Sequence, residues 1–224
     1  MKITDIRVET FRTYADRWDI GHARLIHHAE VLQSILTIDT DEGVEGYYFG
    51  GGAKHGDQEG LNSVERDLIL GRIKNLLVGQ DPFDREMIWK WFWVANIPEG
   101  VASVIDMALW DIRGKAAGMP LYRLLGGWSN GIRTYAGGLS LGFEPPEKLA
   151  DEALGLVEKG FRALKLRAGD TLEMDLARAR KVRESLPDSV SLMIDANTLY
   201  SLEECRIAAP RFADPPGGKV AVQD

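Results

Sequence analysis

The chain has 224 residues, of which 45% are hydrophobic, so it is long enough to bury a core in one domain or two. Its formal net charge of −7 argues against a nucleic-acid or anionic-membrane surface. The single cysteine, Cys205, excludes an intrachain disulfide framework, and no stretch is long and apolar enough to span a bilayer. We therefore expect a soluble, cytoplasmic protein with neither nucleic acid nor membrane as a partner.

The first half of the chain has the pattern of an α+β module. Residues 3–11 alternate like an edge strand, and residues 31–40 and 44–49 flank the turn Asp41-Glu42-Gly43, as in a hairpin. Helical spacing of apolar residues follows in four segments: 65–78, 82–93, 101–115 and 120–125.

The second half alternates strand and helix. The predicted strands cover 132–140, 163–167 and 192–197, and the predicted helices cover 146–159, 172–186 and a segment that starts at Ser201. Successive βα units imply a parallel sheet, either doubly wound or closed into a barrel. No glycine-rich phosphate motif follows the first strand, which disfavours a dinucleotide-binding sheet.

Charged and polar residues occupy one face of two of these strands where the strands end. Lys165 and Arg167 share a face of the first, and Asp195 and Asn197 share a face of the second. The other faces are apolar. Two cations and a carboxylate are costly near a core unless they bind something, so this pattern indicates a functional site.

The order of features resembles the mandelate racemase and muconate lactonizing enzyme branch of the enolase superfamily. The resemblance is carried by the segment SVIDMALWDIRGKAAGMPLYRLLGG (103–127), the strand GFRALKLR (160–167) and the strand MIDAN (193–197). It implies an α+β N-terminal capping domain followed by a (β/α)-barrel domain. It also implies a Mg²⁺ ion that holds the carboxylate of a small substrate while a base removes the α-proton. A homo-oligomer is expected as well.

The resemblance assigns roles to individual residues. Asp195 matches the first metal-binding carboxylate, and Lys165 and Arg167 match a catalytic Lys-x-Lys pair. Arg167 departs from this pair, and because a guanidinium does not deprotonate in proteins it would clamp a carboxylate or stabilise an enolate rather than act as a base. Two-base racemisation is thereby disfavoured, and dehydration of a sugar acid is favoured. Asn197 would either contact the substrate or cap the end of its strand.

Loops of the capping domain are expected to influence specificity in this branch. The candidate loops here are 14–24 and 50–56, which place His22 and His55 as possible substrate contacts. For both histidines, a surface position without contact to substrate is the alternative.

The resemblance also indicates what the chain lacks. We place the capping domain at residues 1–128 and the barrel domain at 129–224. The barrel domain contains about the first three βα units. From about residue 210 the tail departs from the family pattern, and Pro210 should break the helix there. The later metal ligands and the catalytic base have no counterpart, so a truncated chain should bind Mg²⁺ weakly and be inactive. Three functions stay open: a Mg²⁺-dependent acid-sugar dehydratase by descent, a racemase or cycloisomerase of the same branch, and a non-catalytic or oligomerisation module.

Overall fold

The computed structural model describes residues 1–19, 24–50, 61–137, 142–196, 199–213 and 221–223, with side chains except at 15–19, 24–31 and 221–223. The chain divides into two compact units. Unit 1 contains Met1–Ala15 and His28–Asn130, and unit 2 contains Asp16–His27 and Gly131–Asp224. No helix within the described ranges is both long and apolar enough to cross a membrane.

The N-terminal sheet has the strand order β1 (Ile3–Asp19), β2 (Arg24–Thr40) and β3 (Gly46–Gly50), and β2 pairs antiparallel with β3. The predicted turn between β2 and β3 is confirmed: Gly43 has φ +74°, and its N–H donates to the Thr40 carbonyl at 3.2 Å. Strands β1 and β2 are longer than the sequence predicts. Once two strands pair, ladder hydrogen bonds hold polar residues extended even where their own β-propensity is low.

Helices follow the sheet. Their bounds are α1 (Ser63–Leu68), a π-helical turn (Ile69–Ile73), α2 (Lys74–Leu77), α3 (Arg85–Val94), α4 (Glu99–Ala116) and α5 (Leu121–Leu124). Helix α1 begins two residues before the prediction because Asn62 and Glu65 form a capping box, in which each side chain accepts the other residue's backbone N–H, at 2.9 and 3.0 Å.

Strand β3 packs closely on helix α4. A Cβ atom on Gly46 would lie 2.2 Å from the Ala108 carbonyl oxygen and 2.6 Å from Ile112 Cγ1. Only glycine allows this approach, which brings the sheet onto the buried face of α4. On that face Ala108, Leu109 and Ile112 are fully buried.

Unit 2 contains a parallel sheet with the order β4-β5-β6-β7. The elements are β4 (Ala136–Gly137), α6 (Pro146–Glu158), β5 (Ala163–Arg167), α7 (Leu172–Ser185), β6 (Ser191–Asp195), α8 (Leu202–Ala213) and β7 (Ala221–Gln223). An antiparallel capping sheet with helices, followed by three consecutive βα units of a parallel sheet, is the fold class that the sequence predicted.

The C-terminal segment differs from the sequence expectation. Pro210 lies inside α8 and does not end it: the helix continues to Ala213, and Phe212 is buried in the core of unit 2. Burial of this phenylalanine offsets the loss of one backbone hydrogen bond at the proline. Residues 221–223, which were expected to lie outside the barrel pattern, form β7 and pair parallel with β6.

Candidate functional site

The candidate site is built on the neighbouring strands β5 and β6. Their parallel register places Lys165 beside Met193 and Arg167 beside Asp195. Alternate residues of both strands, namely Leu164, Leu166, Leu192 and Ile194, are buried in the core formed with α6 and α7. Lys165, Arg167 and Asp195 are half-buried on the opposite face. We call the end of the sheet that carries Arg167 and Asp195 the carboxyl edge.

Lys165 and Asp195 form an ion pair at this edge, with 2.9 Å between Lys165 Nζ and Asp195 Oδ2. Their side chains are 19% and 25% exposed, so water screens the pair only in part. The contact with Asp195, and next the neighbouring Tyr135 side chain, raise the pKa of Lys165 above its ordinary value. Lys165 is therefore a charged donor at neutral pH and not a proton acceptor.

Among the described residues, Tyr135 lies near this pair and was missed by sequence reasoning. Its ring centroid lies 5.0 Å from Lys165 Nζ. The ring also packs against Gly137, where an added Cβ atom would lie 2.9 Å from the ring. The ring faces the ammonium group, a favourable cation–π arrangement. The available signal was a tyrosine two residues before a strand glycine, which leaves room for an aromatic ring against the neighbouring strand.

Arg167 has no ion-pair partner among the described residues, in contrast to Lys165. Its guanidinium offers two parallel N–H groups, the geometry that binds a carboxylate in a bidentate manner. The site thus contains Lys165, whose charge is neutralised by Asp195, and Arg167, which could form an ion pair with a ligand.

Asp195 fits Mg²⁺ as one hard oxygen ligand, but a complete site needs more. Mg²⁺ prefers six oxygens in octahedral geometry, and the described residues contain no group of three His, Cys, Asp or Glu side chains that could hold a metal. In β7, Gln223 lies at the register position beside Asp195. The donor chemistry of Asp195 is right for magnesium, and the described residues place fewer than three such side chains together.

The remaining predicted site residues lie outside the described residues. These are His22, His55 and Asn197. Their assignment as substrate contacts stays a prediction.

The chain matches two protein-family models. The model described as mandelate racemase / muconate lactonizing enzyme, N-terminal domain, matches residues 12–126, and the model described as enolase C-terminal domain-like matches residues 148–216.

Curated relatives catalyse several reactions. A hydrophobic dipeptide epimerase from Enterococcus faecalis is 31% identical over 183 residues, covering 81% of this chain and 50% of the relative. An arabinonate dehydratase from Saccharolobus solfataricus is 34% identical over 187 residues, covering 80% and 48%. The relatives include acid-sugar dehydratases, epimerases and cycloisomerases. The chain spans about half the length of the curated relatives it matches.

Solved structures agree with the fold. A dipeptide epimerase from Enterococcus faecalis V583, complexed with Mg and the dipeptide L-Leu-L-Tyr, has a TM-score of 0.79 at 27% identity, covering 96% of this chain and 59% of that one. A D-glucarate dehydratase from Agrobacterium tumefaciens, complexed with magnesium, has a TM-score of 0.74 at 29% identity, covering 95% and 58%.

Proposed function

The chain belongs to the mandelate racemase and muconate lactonizing enzyme branch of the enolase superfamily, and we propose that it carries one side of a magnesium-dependent site for a sugar acid. The observation that carries this proposal is the Lys165–Asp195 ion pair beside Arg167 at the carboxyl edge. Parallel α/β folds bind their ligands at this edge. The relatives named arabinonate dehydratase and D-glucarate dehydratase support a sugar acid as the substrate class.

The two cations would bind the substrate's carboxylate. Arg167 would hold it in a bidentate manner, and the Lys165 ammonium would donate to the same group or to the negative charge that develops when an α-proton leaves. Both side chains are half-buried, so their charges act with less screening than at a free surface.

Asp195 would hold the metal ion. Magnesium bound there would offset the negative charge of a carboxylate substrate and of its deprotonated form. Because Lys165 already neutralises Asp195, a metal ion must displace the ammonium group or share the carboxylate with it. This competition, and the incomplete ligand set among the described residues, both lead us to expect weak metal binding.

None of the three site residues is suited to accept the α-proton. Arg167 stays protonated in any protein environment, and the raised pKa of Lys165 keeps that residue protonated as well. We therefore expect binding without turnover from these residues alone. This arrangement also disfavours racemisation, which needs a base on each face of the substrate, relative to dehydration.

Two other functions have support. Epimerisation is supported by the 31% identity to a dipeptide epimerase, and it would require that Lys165 lose its proton when ligands bind. A non-catalytic role, as an interaction or oligomerisation module, is supported by the incomplete ligand set that the described residues offer to a metal.

Calorimetric titration tests the proposal. Mg²⁺ is titrated into the wild-type chain, into Asp195→Ala and into the control Asp188→Ala. Asp188 is exposed and precedes β6, at the opposite end of the strand from Asp195. We expect a dissociation constant on the order of 1 mM for the wild type and for Asp188→Ala, and no binding for Asp195→Ala. Arabinonate is then titrated in the presence of Mg²⁺.

Equal metal binding by Asp195→Ala would contradict the metal role of this residue. Metal binding without arabinonate binding would leave the metal site in place and contradict the sugar-acid assignment. Formation of a 2-keto acid from arabinonate by the chain would contradict the expectation of binding without turnover and establish the dehydratase directly.

A further inference from the structure

Two buried residues of opposite charge on helix α7 connect the loops at the carboxyl edge. Asp175 is 3% exposed and Arg178 is 5% exposed, and Arg178 Nη1 lies 3.0 Å from Asp175 Oδ1. A buried ion pair is costly unless all its hydrogen-bonding capacity is met. Both residues therefore need further hydrogen-bond partners, and these partners lie in the loops at the carboxyl edge.

Arg178 fixes two segments at once. Its Nε donates to the Glu144 carbonyl at 3.0 Å and its Nη2 donates to the Phe143 carbonyl at 3.1 Å, both just before α6. The same Nη2 donates to Asp170 Oδ2 at 3.0 Å, in the loop between β5 and α7. All three guanidinium nitrogens thus have acceptors, and two of the acceptors are backbone groups.

Asp175 fixes the β5–α7 loop and the segment that follows β6. Its Oδ2 accepts the backbone N–H groups of Gly169 and Asp170 at 2.8 and 3.1 Å, and the Tyr200 hydroxyl at 2.6 Å. Burial, and then the hydrogen bond to Asp175, raise the pKa of Tyr200, so its hydroxyl remains a donor.

These loops lead directly into the candidate site. Ala168, which follows Arg167, donates its N–H to the Asp195 carbonyl at 2.9 Å. A Cβ atom on Gly169 would lie 2.3 Å from Leu199, so the β5–α7 loop and the segment after β6 are in close contact. The ends of β5 and β6 are therefore joined by a backbone hydrogen bond. The loop that Asp175 and Arg178 fix begins at the next residue, Gly169.

We propose that Asp175 and Arg178 are positioning residues, a buried pair that holds three loops at the carboxyl edge so that Lys165 stays paired with Asp195. The proposal rests on the proposed function only for the identity of the ligands that the site binds; the positioning of Lys165 and Asp195 is tested without them. The pair would set the distance between the cations and the carboxylate without contacting a ligand.

Helix α7 also supplies a matched control. Arg183, 3% exposed, donates to the carbonyls of Val190, Leu186 and Pro187 at 2.7, 3.0 and 2.7 Å. These acceptors precede β6, at the opposite end of the sheet from Asp195. Arg178 and Arg183 are thus two buried arginines of one helix that bind backbone at opposite ends of the strands.

The experiment compares Arg178→Lys with Arg183→Lys. The rate at which an amine-acylating reagent labels Lys165 is measured by mass spectrometry, with the exposed Lys90 of α3 as internal reference, alongside amide hydrogen exchange. We expect Arg178→Lys to speed labelling of Lys165 about tenfold, the effect of losing a buried hydrogen bond, and to speed exchange in residues 142–145, 168–171 and 199–201. Arg183→Lys should speed exchange in residues 186–191 and leave Lys165 labelling unchanged.

Equal acceleration of Lys165 labelling in both variants would overturn the proposal, because it would show a general loss of stability. Unchanged labelling in Arg178→Lys would overturn it as well. If Arg178→Lys does not fold, Tyr200→Phe removes one bond of the same network and must speed Lys165 labelling in its place. No metal or substrate is needed, so this outcome is separate from that of the proposed function.

Discussion

The ammonium nitrogen of Lys165 lies 2.9 Å from the carboxylate of Asp195, on adjacent parallel strands whose register offsets the two residues by two positions. Each group is half-buried, so each lowers the cost of keeping the other charged near the sheet. The pair makes Asp195 less negative toward a metal ion and Lys165 less able to act as a base. Both consequences can be measured.

The pair should make stability depend on pH in the alkaline range. The pKa of Lys165 is raised in the folded protein above the ordinary value of 10.5, so its stabilisation is fully present below that pH and is lost as the pH rises through the folded value. We expect Lys165→Gln to lower the free energy of unfolding by about 0.5–1 kcal/mol at pH 8, and by less at pH 11. Urea unfolding at the two pH values measures the difference.

Lys90→Gln, at an exposed lysine of α3, serves as the control for general effects of alkaline pH. A difference between Lys165→Gln and the wild type that stays constant from pH 8 to pH 11 would show that the ion pair does not stabilise the fold.

Arg167→Lys tests the role of the guanidinium. A lysine keeps the positive charge but loses the two parallel N–H groups, so we expect affinity for arabinonate to fall by about tenfold, the loss of one charge-assisted hydrogen bond. Calorimetric titration in the presence of Mg²⁺ measures this affinity. Arg162→Lys, before the start of β5, is the control and should bind arabinonate as the wild type does. An unchanged affinity in Arg167→Lys would mean that charge alone binds the carboxylate.

Gly46→Ala tests the close packing of β3 on α4. The new methyl group would overlap the Ala108 carbonyl oxygen, which is backbone and cannot rotate away. We expect a loss of about 2–3 kcal/mol in the free energy of unfolding. Gly100→Ala, in the same helix and with no atom within 4 Å of the added Cβ, should stabilise by about 0.5–1 kcal/mol. Equal effects of the two substitutions on urea unfolding would contradict the packing argument.

Strands β5 and β6 could be predicted closely from sequence because both faces have a clear chemical pattern. In β5 apolar residues alternate with charged ones, in β6 the apolar run 192–194 ends at Asp195, and glycine or proline lies near the ends of both strands. The proximity of Lys165 to Asp195 also follows from sequence, since the carboxyl ends of parallel strands share one edge. The ion pair itself does not, because it depends on side-chain rotamers and on the stagger between the strands.

Other features depend on long-range contacts that no local pattern contains. Tyr135, which directly precedes β4, contacts Lys165 across 30 residues of sequence, beside a glycine that leaves space for its ring. Helix α8 continues past Pro210 because Phe212 is buried, and burial is a property of the packed core rather than of the segment. The network of Asp175, Arg178 and Tyr200 is a further case. In the sequence, the first two resemble the polar face of a helix and the third resembles an ordinary loop residue, so nothing indicates that they are in contact.

At the carboxyl edge, Lys165 and Arg167 lie beside Asp195 on a chain whose formal net charge is −7. An approaching anion is therefore repelled at long range by the molecule as a whole and attracted only near the site. At an ionic strength of 0.15 M, charges more than about 8 Å apart in solvent are largely screened from one another. Moderate salt thus removes the distant repulsion before it weakens the half-buried cations, so an acidic ligand reaches this edge faster in a salt solution than in pure water.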